Sequence, residues 1–511
     1  MRRLVKDLWL SSSVLERRGV VRSLLYTLLV ALVALVFYRD LYLESRPPAP
    51  TNHEVLSFNM ALNSRFCGKT GHLSSKYSPY LFLTTHSDHM SLPFERTVAA
   101  EAGSIAEYCR TVTAPYVVSE NALMWLGRLA LWANRRLTPD GLGGFLASCR
   151  ICLLLVFGFA LVRFGGSVLF ALATVLVGCA ILRHVGVRDT PYPFLVALPL
   201  ALAGLYGLVL ANRATSGSAF GRCIFAFIMG LLTAFSATMR TVLLPISAAM
   251  FAVSLLSQYK QRAKGPSWLA MKTAVWLGVP VLLFGLGYAA YVRVFVEPLR
   301  FDQQGVSDYA YHTFAHPLVL GLAIPESDFA RRQGIAWDDM AGLALARKIE
   351  PGVEMLGPEY ESALLRYYGR LWRAHPREMT VLYGRKLRWT GSGVFSSAAS
   401  VAQQFGIPVA PVEWMHQATN GWMLLALVLV VFALSVRRYL AADNDRMLVT
   451  ALVSVSAFFA FAEAFVMHSI FLPTYSSELL FFLFFALFTA IQAVVDTVAQ
   501  TATGPSHRGH H

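Results

Sequence analysis

Carboxylates, cations and imidazoles are sparse in this chain, and they stand in clusters. His312 and His316 lie four residues apart in YHTFAHP, a spacing that on a helix turns both rings to one face. The stretch lacks the glutamate of an H-E-x-x-H motif, and Pro317 biases His316 away from helical geometry. The pair therefore reads as hydrogen-bond donors to an anion, or as caps of local turns, and no metal site is expected from it. Trp337 and Asp338 follow in GIAWDD. Further on, REMTVLYGRKLRWTGSG sets Lys386 and Arg388 beside Trp389. Ammonium and guanidinium groups hold phosphates, and an indole offers a flat face to a sugar ring. Two acids in an earlier segment, Glu54 in HEVLSF and Asp40 in FYRDLY, are candidates for taking a proton from a hydroxyl. Arg240, in AFSATMRTVLLP between two apolar runs, is either an anchor at a span end or a cation that meets a phosphate at the membrane surface. Glu463, in FAFAEAFVMHS with His468 just beyond, lies nearer a span interior and reads as paired or protonated, a candidate member of a proton path.

Other chemistries leave no trace. There is no G-x-S-x-G, no phosphate-binding G-x-x-x-x-G-K, and no glycine fingerprint after a strand. Cys149 and Cys152 form a C-x-x-C inside an apolar run with no partner pair, so they read, with Cys179 and Cys223, as packing residues.

The elements that must position these groups are mostly apolar. Of 511 residues, 56% are hydrophobic and 14% charged, where soluble chains carry about 25% charge. Apolar runs recur from residues 24–37 to 479–495, several of them short of the roughly 20 residues a span needs. The expected fold is an all-α polytopic membrane protein with about ten transmembrane helices and two external, mostly helical segments. The net charge of +14 gathers at span ends, which fits the positive-inside rule and not nucleic-acid binding.

The basic residues of 1–22 place that stretch in the cytoplasm, before a first transmembrane helix at 23–38. Alternation of sides then makes 39–140 a first external segment, 141–296 transmembrane helices two to seven, and 297–421 a second external segment. Residues 422–498 hold the last three helices, and 499–511 form a disordered cytoplasmic tail. Cys67 and Cys109 share the first external segment, where oxidising conditions permit a disulfide. The absence of any N-x-[ST] sequon favours a bacterial inner membrane, with the polar segments in the periplasm.

Three amphipathic helices stand out in the external segments. In SENALMWLGRLALWANRRL, Leu123, Leu126, Ala130 and Trp132 are expected on one face, opposite Arg128, Arg135 and Arg136. WDDMAGLALARKIEPG opens on acids and closes on Lys348 before Pro351. PEYESALLRYYGRLWRAHP carries a stripe of Ala363, Leu364, Tyr367, Tyr368, Leu371 and Trp372.

This layout resembles the GT-C superfamily of integral-membrane glycosyltransferases, which use polyprenyl-phosphate-linked sugars on the external face. The likeness covers nearly the whole chain in arrangement. It includes Glu54 with Phe58 four residues later, like the acid–aromatic pair at a helix start in that superfamily, and the MRTVLLP turn around Arg240. Glu54 follows a histidine where an acid pair is usual, and Asp40 is its rival. The resemblance implies that Glu54 or Asp40 is the base. Arg240, His312, His316, Lys386 and Arg388 would hold the donor phosphate, and Trp337, Asp338 and Trp389 would meet sugar or acceptor. No cofactor is required on this reading; a divalent metal is compatible with it but not indicated. The partners would be a lipid-linked sugar donor, membrane lipids, and a glycan, lipid or protein acceptor. A lipid-linked glycan polymerase or ligase, or a transporter or flippase of such glycans, shares much of this layout; no paired halves favour the transporter.

Overall fold

A computed structural model describes residues 121–133, 168–185, 219–238, 243–262, 270–296, 314–354, 358–407, 419–441 and 445–468, with short pieces within 28–32, 72–73, 103–107, 112–113, 145–160, 205–209 and 479–484. The fold is helical. Apart from an antiparallel pairing of β1 (His72–Leu73) with β2 (Val112–Thr113), its described elements are helices. In chain order they are α1 (Asn121–Ala133), α2 (Val168–Val185), α3 (Ala219–Ala237), α4 (Leu243–Arg262), α5 (Ala270–Tyr291), α6 (Ala315–Leu320), α7 (Asp328–Gln333), α8 (Asp339–Arg347), α9 (Pro358–Ala374), α10 (Pro376–Gln403), α11 (Thr419–Ala441) and α12 (Asp445–Glu463). A π-helical turn extends α5 over Val292–Val296, and another extends α12 over Ala464–His468.

Among the described residues, two stretches are long and apolar enough to cross a membrane, Phe220–Ala237 and Leu277–Val296. Shorter apolar helices occupy Leu172–Ile181, Leu243–Leu256, Gly421–Arg437 and Ala451–Met467. The helical character expected from the sequence is therefore present, while two described helices of the expected ten or so reach spanning length.

The two long helices pack against each other through glycine. A Cβ on Gly230 of α3 would collide with the Phe284 carbonyl, and one on Gly287 of α5 would collide with the Phe227 carbonyl. Without side chains at these positions the two backbones touch, as small residues allow in apolar helix pairs.

Among the described residues two large hydrophobic cores form, beside a small cluster of Ala234, Tyr291 and Val296. The larger joins Phe157, Val209, Met229, Leu243, Met250, Leu424, Leu452 and Phe461 in an apolar bundle. The smaller lies under the polar stretch that follows α5: Val319, Leu322, Phe329, Leu343, Tyr360, Leu364, Leu371, Met379 and Leu382. Local signals set its elements. Ser327 caps α7 by accepting from the Ala330 N–H at 3.1 Å, and Gly334 ends it at a φ of 73°. Asp338 caps α8 by accepting from the Ala341 N–H at 3.0 Å. Pro358 and Pro376 open α9 and α10 in first-turn positions where no N–H is needed. The α9 stripe read from the sequence faces this core, with Ala363, Leu364, Tyr367 and Leu371 buried and Tyr368 and Trp372 half-buried.

α10 links the cores. Met379 and Leu382 belong to the smaller, and Leu387, Val394 and Val401 to the larger. α1 keeps part of its expected face: Ala130 is buried and Leu126 packs half-buried on the larger core, with Gly127 and Leu131 buried beside them, whereas Trp132 is 76% exposed. Trp125 anchors the helix. Its indole N–H donates to the Phe295 carbonyl at 2.8 Å, and its ring meets Phe295 edge-on, pinning α1 to the end of α5.

Candidate functional site

One face of α10 carries Arg385, Arg388, Trp389, Ser392 and Ser396, at spacings of three, four, seven and eleven residues from the first. With Gly393, they line a cleft of about 480 Å³ whose opposite wall is Pro325 and Glu326. Both arginines and Glu326 are exposed, and Trp389 is 46% exposed. Two guanidiniums, one carboxylate, two hydroxyls and an indole face are thus collected in one concavity. That set suits an anion attached to a ring: guanidiniums take phosphate oxygens in pairs, hydroxyls complete the hydrogen bonding, and the indole stacks.

Lys386 lies next to the cleft in sequence and turns away from it. Its side chain is fully buried, and the ammonium donates to the carbonyls of Gly321 and Val466, each at 2.9 Å, with the Tyr383 ring 5.4 Å away. Burial pushes its pKa down to about 7. Gly321 begins the 3₁₀ turn Gly321–Ala323 that leads into Pro325 and Glu326. A Cβ there would strike the Met467 carbonyl, so only glycine allows this approach. Lys386 therefore ties three backbones together: its own helix, the turn before Glu326, and the π-helical end of α12. It shapes the cleft wall and does not face the cavity.

His316 has a comparable inward role. It is 4% exposed, with Nδ1 2.8 Å from the Tyr360 hydroxyl and Nε2 3.3 Å from Asp339 Oδ1. The Tyr360 pKa is raised, first by burial and then by the charges of Asp339 and Glu361, so the phenol keeps its proton. The Tyr360 hydroxyl and Nδ1 share a hydrogen bond in which the tautomer of the ring decides the donor, while Nε2 faces Asp339. Glu361 accepts the backbone N–H groups of Ala315 at 2.5 Å and His316 at 3.4 Å. This network locks α6, α8 and α9 together.

The other sequence-derived candidates divide as follows. Arg388 and Trp389 line the cleft. Asp338 is spent as the cap of α8, and Trp337 packs half-buried against the smaller core. Neither belongs to the cleft wall. Glu54, Asp40, Arg240, His312, Cys67 and Cys109 lie outside the described residues. Glu463 is buried within α12, and Cys149, Cys152, Cys179 and Cys223 form no disulfide among the described residues. Among the described residues, no group of three or more metal-ligating side chains comes together.

Arg385 and Glu326 complete the cleft without having been anticipated. Arg385 was legible: it shares a helix face with Arg388 and Trp389 by spacing alone. Glu326 was not, because its place depends on a turn anchored by a lysine far along the chain. No family model, curated protein or solved structure matches this chain.

Proposed function

We propose that the protein is a polytopic membrane glycosyltransferase of the cell envelope. It would move a sugar from a polyprenyl-phosphate donor to an acceptor hydroxyl at the external, periplasmic face of a bacterial inner membrane. The observation that carries this reading is the pairing of Arg385 and Arg388 with Trp389 along one cleft, beside a bundle holding helices of spanning length. A lipid-linked donor arrives along the bilayer and needs no carrier site. The protein's task is to stabilise the phosphate as the sugar leaves, which fixed cations do. In this reading Arg385 and Arg388 hold the phosphate oxygens, Trp389 covers a face of the sugar ring, and Ser392 and Ser396 offer hydroxyls to the same headgroup.

The test uses the full chain in lipid nanodiscs. Farnesyl phosphate, a short analogue of the leaving group, should quench tryptophan fluorescence saturably, and the R385A/R388A double variant should lose that response. Release of labelled sugar from polyprenyl-phosphate donors should fall by roughly 10²–10³-fold in R388A alone, the usual cost of removing one group that stabilises developing charge. A double variant that binds farnesyl phosphate and transfers sugar like the wild type would sink the reading.

A further inference from the structure

This inference rests on the donor-site reading of the cleft and adds its reactive group. We infer that Glu326 is the catalytic base, whose carboxylate removes the proton of the acceptor hydroxyl during transfer.

Glu326 is the sole carboxylate among the described residues lining the cleft, and it faces the helix that carries Arg385, Arg388 and Trp389. Neighbouring acids are committed elsewhere. Asp328 pairs with Arg331 at 2.7 Å, Asp338 caps α8, Asp339 meets His316, and Glu361 caps α6. Among the described residues no ion pair engages Glu326.

Its backbone is held on both sides. Five residues before it, the Gly321 carbonyl is gripped by Lys386 of the same α10 that supplies the arginines. Immediately after it, Ser327 is 5% exposed and committed to capping α7. One helix thus sets both walls, its outer face presenting the cations and its inner lysine fixing the turn that presents the acid. A base and a phosphate clamp held at fixed separation by one element is the arrangement that positioned catalysis requires.

The step balances without a further reagent. The acceptor oxygen forms a bond to the anomeric carbon as its proton passes to Glu326. The bond from that carbon to the phosphate oxygen breaks, and its electron pair leaves with the polyprenyl phosphate, held by Arg385 and Arg388. Glu326 then returns its proton to solvent through the open cleft.

The experiment compares E326Q, E326A and R385A/R388A as full chains in nanodiscs. It uses a panel of ¹⁴C-labelled polyprenyl-phospho-hexoses and scores sugar released to any acceptor, water included. E326Q should lose roughly 10²–10⁴-fold in rate while binding farnesyl phosphate within about twofold of wild type. Added formate, a diffusible carboxylate, should restore part of the rate in E326A. If E326Q works at the wild-type rate while R385A/R388A is inactive, the cleft reading stands and the base is another acid, with E54Q and D40N the next variants. Loss of binding together with rate in E326Q, or an E326A defect that formate leaves unchanged, marks a structural role and also overturns the inference. Release from no donor in the panel by the wild type overturns the donor-site reading itself.

Discussion

Lys386 shows how one buried charge shapes a site it does not enter. A lysine buried away from solvent is held less readily as an ammonium, which is why its pKa falls to about 7. In the unfolded chain it titrates near 10.4, so between about 7 and 10.4 the unfolded state binds the extra proton. Stability therefore rises with pH across that window, by up to about 1.4 kcal/mol per unit from this residue, and the cost of its charge is fully present below about pH 7. Scanning fluorimetry of detergent-solubilised protein at pH 7 and pH 9.5 should show the Tm difference between wild type and K386M moving in favour of wild type at the higher pH. A difference independent of pH would mean that the lysine is not desolvated as placed. The neighbouring residues divide the same way. Histidine, aspartate and tyrosine that could do chemistry are used to hold helices, while two arginines and a glutamate line the cavity.

At the scale of elements, α3 and α5 test the packing of the apolar bundle. Gly230 and Gly287 are the points where the two backbones meet, each against a carbonyl of the other helix. Neither collision can be relieved by a side-chain rotation, because the obstructing atoms are backbone. Gly287→Leu should therefore force the helices apart and expose buried Met229 and Ala226. Size-exclusion chromatography in mild detergent should show loss of the monodisperse species. Gly285→Leu is the control: a Cβ there meets nothing within 4 Å, and this variant should elute like the wild type. Retention of a normal profile by both variants would contradict the close contact. α10 matters differently. One of its faces lines the cleft from Arg385 to Ser396 while Leu387, Val394 and Val401 pack into the bundle, so the two arginines ride on a helix anchored in the larger core.

The whole molecule poses a question of sidedness. The proposed function requires the smaller core and its cleft to face away from the cytoplasm, and the basic stretch around Lys264 to face into it. Ser362, exposed on α9, is a suitable reporter. In intact cells expressing the full chain, a membrane-impermeant maleimide should label S362C, and K264C only after permeabilisation. The reverse pattern would invert the topology and remove the cleft from any external lipid-linked donor.

Much of this was legible in the chain itself. Apolar runs dictate helices, since only helices satisfy backbone polar groups within an apolar segment. The caps and stripes of α8 and α9 follow from Asp338, Lys348 and the spacing of Ala363, Leu364, Tyr367 and Leu371, because helix ends and faces are decided by residues a turn apart. The side of α10 bearing Arg388 and Trp389 follows from the same periodicity. Which polar residues stay at the surface was decided only by tertiary structure. His316 and Lys386 have the composition of ligand-binding groups, but the fold brings Tyr360, Asp339 and two distant carbonyls to them, and a buried polar group must take such partners. Glu326 gains its place by the converse route. Its own neighbours in sequence say little, and contacts from 65 residues away, between Gly321 and Lys386, bring it to the arginines. Local periodicity is written in adjacent residues; the pairing of distant backbones is an outcome of packing alone.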